Sequence, residues 1–327
     1  MPSKFRIGNG VLCFLLIFSV PLFLSLEPLH AQSFPTKPIT LIIPQEPGGM
    51  SDNQYRAIAP CIPDYLNGQT FVASYRPGGG GAIGSNEVAQ ARPDGYTILK
   101  GMYSSQCVLP ATQGRSKGPD DLEAICRMSE TISVYWVKSD APWKTFTEMI
   151  AWAKANSDQL VSGFVGAWSG GEFAWRWLEM KAGFTARKVA MGGTEIVAAL
   201  LGGHIQVARI GTAQSLPHYR AGKLRPMVVS GDVRRKDMPD VPTLIELGYD
   251  MKGLASGWYG YFAPKKTPRP IIDKMAEAFK KITQDERAIK GMVPLGIDFY
   301  YLGPDEFTKK WREQYLLYKD LYKKLKK

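Results

Sequence analysis

Histidine is nearly absent from this chain, with three in 327 residues, and only four cysteines accompany them. His30 lies beside an N-terminal apolar stretch, which leaves His204 and His218 and cysteines scattered at 61, 107 and 126. No spacing among these matches a known ligand pattern, so neither a metal nor a cofactor that needs one is expected. Apolar runs are short everywhere except residues 11–26, and nothing later approaches the roughly 18 apolar residues of a membrane span. Low-complexity tracts, short-period repeats and polar linkers are missing too, which argues against disorder and against a solenoid. Acidic residues are the minority, 30 against 41 basic, so the net charge of +11 favours anionic partners.

What is present is a globular composition, 45% hydrophobic, enough for one large or two medium domains with real cores. Lys4 and Arg6 precede the apolar run, Ser19 and Pro21 break it, and Ala31 follows as a small residue. Residues 1–31 therefore read as a secretory signal peptide. Its removal takes Cys13 and leaves Cys61, Cys107 and Cys126, an odd set in a compartment where disulfides persist. One bridge with a spare thiol, Cys107 to Cys126 first, stands beside the simpler expectation of three buried thiols. The densest basic run, residues 309–327, carries Trp311, Tyr315, Leu316, Tyr318 and Leu321 at helical spacing. It reads as an amphipathic terminal helix with a solvated basic face, and no nucleic-acid binding is expected of it.

Short apolar runs at 39–44, 70–75 and 96–100 each lead into a glycine or serine cluster and then a helical pattern, the rhythm of parallel α/β structure. The rhythm resumes at 132–137, where a capping box from Thr145 to Glu148 opens a helix, and continues at 159–165, 187–191, 205–210 and 225–230. Strand-like runs at 258–264 and 297–301 and a helix over 268–284 precede the terminal one. Two α/β lobes with chain crossings fit this order: residues 32–130 with 256–327 in the first, 131–255 in the second. Hinges are expected near 129–132 and 254–257.

The strand ends carry the candidate chemistry. Pro47, Gly48, Gly49, Ser51 and Asp52 join a strand to a helix, where glycines admit close approach and Ser51 or Asp52 can cap a helix whose amides attract an anion. A plain strand-to-helix turn fits that loop equally. Gly79, Gly81 and Gly84 match a dinucleotide pattern, but the next strand ends at Lys100 and not at the acidic residue a ribose needs. Further turns at 163–171, 192–194 and 211–212 would complete a cage of backbone donors. Ala167-Trp168-Ser169-Gly170-Gly171 has a nucleophile-elbow spacing, with serine hydrolysis by Ser169 as the alternative reading. No aspartate lies between Ser169 and His218, and Glu172, Glu179 and Glu195 fall in helical patterns, so the triad is incomplete. A DNA-binding regulator would need a helix-turn-helix unit and no export signal.

The signatures in order, Pro47-Gly48-Gly49 with Asp52, Arg76-Pro77-Gly78 to Ile83-Gly84, Pro93-Asp94-Gly95-Tyr96-Thr97, 199–203, 216–225, 240–248 and 258–264, resemble the extracytoplasmic receptors of tripartite tricarboxylate transporters, also called Bug proteins. The resemblance spans nearly all of the chain after its leader. It implies a type II periplasmic binding protein fold, a two-lobed clamp that is monomeric and not an enzyme. It also implies capture of a small di-, tri- or aromatic carboxylate in the periplasm for membrane transport subunits, or for sensing without a transporter. By that likeness the ligand contacts are Pro47, Gly48, Gly49, Ser51, Asp52, Gly81, Ala82, Ser104 and Ser105 on one lobe. On the other they are Gly166, Trp168, Ser169, Gly170, Gly192, Gly193, Thr194, Gly211 and Thr212. The chain departs from the family at Glu46, Trp168, Glu172, Met191, Gly192 and Ala208. Trp168 could stack on an aromatic acid and Glu46 or Glu172 receive a cationic group, or Trp168 could turn into its own lobe and both glutamates face solvent.

Overall fold

The computed structural model describes Met1 and residues 34–325, apart from 167, 168, 232, 252 and 255. All but the first residue of the expected leader lies outside the described residues, as does Trp168. No helix among the described residues is long and apolar enough to cross a membrane.

In chain order the elements are β1 (Ile39–Ile43), α1 (Met50–Ile58), β2 (Phe71–Tyr75), α2 (Ala82–Gln90), β3 (Thr97–Met102) and β4 (Leu122–Ile132). Then come β5 (Val134–Lys138), α3 (Phe146–Ala155), β6 (Val161–Val165), α4 (Gly170–Ala182), β7 (Arg187–Met191), α5 (Gly193–Leu201), β8 (Val207–Ile210), α6 (Thr212–Arg220) and β9 (Leu224–Val229). The chain ends through β10 (Ser256–Pro264), α7 (Arg269–Ile282), α8 (Glu286–Met292), β11 (Phe299–Leu302) and α9 (Pro304–Leu325).

The strands form two sheets, in the orders β11-β4-β10-β3-β1-β2 and β7-β6-β8-β5-β9. In the first, β1 pairs in parallel with both β2 and β3; in the second, β6 pairs in parallel with β7 and β8. Helix N-termini therefore gather at one edge of each sheet, beyond the strand C-termini, where open α/β sheets bind ligands. Ser133 alone separates β4 of the first sheet from β5 of the second. The apolar run at 132–137 is thus split, with Ile132 paired to Ser256 in one sheet and Val134 to Ile210 and Val229 in the other.

β4 is the main element the apolar runs do not reveal, because Arg127, Ser129, Glu130 and Thr131 interrupt its sequence. Pro60 and Pro63 interrupt the first helical segment: α1 stops at Ile58, a single tight turn follows, and a second short helix covers Ile62–Tyr65. Half of the capping box forms, with the Glu148 amide donating to Thr145 Oγ1 at 3.1 Å, while the Glu148 carboxylate accepts the Lys144 amide at 2.7 Å in place of that of Thr145.

One apolar cluster links the sheets, from Ile42 and Leu99 on the first to Tyr135, Phe164 and Val228 on the second. α9 closes it by burying Phe307, Trp311, Gln314, Tyr318 and Leu321, a stripe with alternating spacings of four and three. Its polar groups are pinned as well: Trp311 Nε1 donates to the Gln106 carbonyl at 2.8 Å, and Trp258 Nε1 donates to Gln314 Oε1 at 2.6 Å. Cys61, Cys107 and Cys126 are all free and buried. A Cys107–Cys126 bridge is corrected by the packing: Cys107 belongs to the cluster shared by both sheets, Cys126 to the separate cluster beneath α1 and α7.

Candidate ligand-binding site

The loop after β1 is built around its own aspartate. Asp52 is fully buried; its Oδ2 accepts the Gly48 amide at 2.8 Å and its Oδ1 the Tyr75 hydroxyl at 2.8 Å, while Arg56 Nε reaches both oxygens. Burial pushes this carboxyl up, but the Gly48 amide, Arg56 and Tyr75 outweigh it and hold it below the usual carboxylate range. Asp52 is therefore a brace within the loop. The Gly49 amide donates to the Glu46 carbonyl at 3.1 Å and the Ser51 amide to Gln45 Oε1 at 3.1 Å. The first-turn amides of Met50 and Asp52 are left to face outward from α1. Pro47 and Glu46 are exposed, and Ser51 Oγ is buried with no partner among the described residues.

After β2, Gly78 to Gly81 all adopt positive φ, and a methyl group on Gly81 would lie 2.7 Å from Ser105 Cβ. Behind this turn Ser105 Oγ donates to Gln106 Oε1 at 2.6 Å, the Gln106 side-chain amide donates to Ser85 Oγ, and Ser85 Oγ donates to the Gly81 carbonyl at 2.8 Å. Ser105 and Ala82 are buried supports, and Ser104 is half-buried at the loop surface.

In the second sheet, Ser169 caps α4 by accepting the Glu172 amide at 3.4 Å. Glu172 is buried and engages Arg176, one turn along, at 2.7 Å. Gly166 has φ of 75° and donates to the Met191 carbonyl at 3.2 Å. The Gly192 amide is taken by Glu195 Oε2 at 3.0 Å, so the amides of Gly193 and Thr194 head α5, as those of Thr212 and its neighbour do α6 beyond Gly211.

Tyr103, at the end of β3, joins the two sets of loops. A methyl group on Gly170 would meet its ring and lie 2.9 Å from its hydroxyl and 2.8 Å from that of Tyr318. The same ring would sit 2.5 Å from a methyl on Gly257. The loop after β3 thus rests on the first turn of α4, and glycine is required on both sides of the contact. Beneath it lies Arg209, 5% exposed, whose Nη2 donates to the Leu254 carbonyl at 3.3 Å and whose Nη1 approaches Gly171. Sequence reasoning passed over Arg209, although a cation inside the apolar run 205–210 was a visible signal, and over Tyr135 and Tyr318 beside it.

A family model described as the tripartite tricarboxylate transporter family receptor matches residues 55–326. The chain belongs to that family. This receptor is 31% identical over 290 residues to a Cupriavidus necator protein named UPF0065 protein in gbd 5'region, a match covering 88% of this chain and 87% of that one. The crystal structure of a TctC solute-binding protein from Polaromonas is 28% identical, with a TM-score of 0.80 over 89% of this receptor and 99% of that chain. MatC from Rhodopseudomonas palustris, solved with bound malate, shares the fold at 24% identity and a TM-score of 0.69, covering 88% of this receptor and 100% of that chain. The two-lobed α/β binding-protein fold expected from the sequence is thus the fold of this receptor. The hydrolase alternative is not favoured: Ser169 Oγ serves the α4 cap, and no hydrogen bond joins it to His204 or His218 among the described residues.

Proposed function

We propose that this receptor works in the periplasm as a clamp that captures a small carboxylate and presents it to the membrane subunits of a tripartite-type transporter, without transforming it. The observation that carries this reading is the contact of Tyr103 with Gly170, which brings the first turn of α4 against the loop that follows β3. The helices that follow the parallel strands open with first-turn amides left over after each loop has satisfied its own, a setting suited to an anion. MatC with its malate supports a carboxylate as the cargo class.

On this reading residues 32–130 with 256–327 form one lobe and 131–255 the other, except that residues 131 and 132 stay in the first lobe's sheet with β4, and the hinges lie at Ser133 and at the return into β10. Residues 1–31 direct export and are removed, and the mature chain acts as a monomer. The contacts are first-turn amides of α1, α2, α4, α5 and α6, with Ser104 and the loop around Trp168, while Asp52, Ser105 and the Gly192 amide support them from behind. Closure follows from contacts made only when both lobes touch the ligand. A panel of mono-, di- and tricarboxylates and aromatic acids, read by thermal shift and by X-ray scattering radius, tests it. A member of the panel raises the melting temperature and contracts the radius; flat responses throughout would overturn the assignment.

A further inference from the structure

The cluster beneath α1 contains a charge with no counter-charge. Lys100, on β3, is 1% exposed, and its ammonium donates to Gln54 Oε1 at 3.1 Å and lies over the rings of Tyr261 and Tyr259, 4.6 and 5.5 Å from their centroids. No carboxylate pairs with it among the described residues. From β4 it faces Cys126 and Ser129, the latter donating to the same Gln54 oxygen at 3.1 Å; from β10 it faces Tyr259 and Tyr261. β1 contributes only apolar side chains to this face. The thiol and both phenols are pushed up by burial and stay neutral, and Asp52, the acid on α1, is engaged by Gly48, Arg56 and Tyr75. An isolated buried ammonium is strongly disfavoured unless it loses its proton or gains an anion. Lys100 is accordingly drawn down to about 7 by burial.

The anion can come from the mouth of α1. Gln54 lies one helical turn, about 6 Å of rise, beyond Met50, so the ammonium it holds sits behind the first turn of α1. Ser51, three residues before Gln54 and on the same face, has a buried hydroxyl with no partner, and Gln54 Nε2 is likewise buried without one. We propose that Lys100 is the buried counter-charge for a carboxylate held at the N-terminus of α1, so that binding the ligand and protonating Lys100 are one coupled event. This rests on the carboxylate-receptor reading and adds a regulatory property to it: the receptor takes up a proton as it binds.

The sign follows from linkage. Below about pH 7 Lys100 is already charged and affinity is at its highest. Above it binding recruits a proton until the raised titration point of the complex is passed, so affinity falls by about tenfold and levels off near pH 9, the size of a one-unit rise in the Lys100 pKa on binding.

The test is calorimetric titration of the full mature chain with malate, adipate and citrate, in two buffers of different ionisation enthalpy, at pH 6, 7.5 and 9. Wild type is expected to take up about half a proton at pH 7.5 and little at pH 6 or pH 9. Lys100→Met should bind without uptake, about tenfold more weakly at pH 6 and with a flat pH profile. Lys100→Arg, charged at every pH, should keep the affinity and lose the uptake, which also covers failure of the Met variant to fold. Binding by wild type without proton uptake, or equal uptake by Lys100→Met, overturns the coupling and leaves the receptor assignment standing. If neither these three acids nor any other member of the carboxylate panel binds wild type, the carboxylate reading falls and this proposal with it.

Discussion

Glycine at 170 and at 257 leaves room for one aromatic ring, and that ring, Tyr103, is where the loops of the two sheets touch. A methyl group at either position must displace it. Gly170→Ala is therefore expected to lose about 1–3 kcal/mol of stability, the usual range for overpacking a close contact. Urea unfolding of Gly170→Ala, Tyr103→Ala and the double variant checks this. The double variant should be more stable than the sum of the single effects implies, because removal of the ring leaves nothing for the new methyl to strike. Strict additivity would mean that the two residues do not meet. Which amides each loop leaves open is a question at the same scale, and it was not legible beforehand. Gly48, Gly49 and Ser51 look alike as donors in the sequence, but Asp52, Glu46 and Gln45 reach back and occupy their N–H groups. Lys100 at the end of one strand-like apolar run and Arg209 inside another are the signs of buried cations that the sequence does carry.

Strands were readable where a run of apolar residues matched a strand buried on both faces, as in β1, β3 and β8. They were hidden where polar residues are buried within the sheet. β4 carries Arg127 and Ser129 almost fully buried, and its length became apparent only from pairing with β10 and β11. α9 was the clearest element in advance, because its stripe survives an intensely basic surface. Its inner face joins α4 through the edge-to-face contact of Phe173 with Tyr318 and reaches the β3 loop through Trp311. Truncation of Trp311 to alanine is expected to cost about 3–5 kcal/mol, the range for deleting a buried indole, measurable as a fall in denaturation midpoint. A loss below about 1 kcal/mol would show that α9 is peripheral to the fold.

At the scale of the molecule, one residue, Ser133, carries the chain from the first sheet to the second, and the chain re-enters the first sheet in β10. The rhythm of strands and helices made two α/β layers legible, as did the resemblance that named the family. The one-residue crossing was not, because the apolar run from 132 to 137 gave no sign of a break. The three thiols also behave as a whole-molecule property. All are buried and none is paired, and burial pushes each of them up and away from the reactive thiolate. Native protein is expected to resist thiol-directed labelling, and unfolded mature protein to react at three sites without a reductant, as read by intact mass. Fewer than three would indicate a bridge.

That silence of the native thiols makes the receptor a ready starting point for an optical sensor. A cysteine placed at an exposed position on the rim, such as Glu46→Cys beside the mouth of α1, would be the one sulfur a maleimide dye can find. Its emission would then report what the cleft is doing without the native sulfurs having to be removed first.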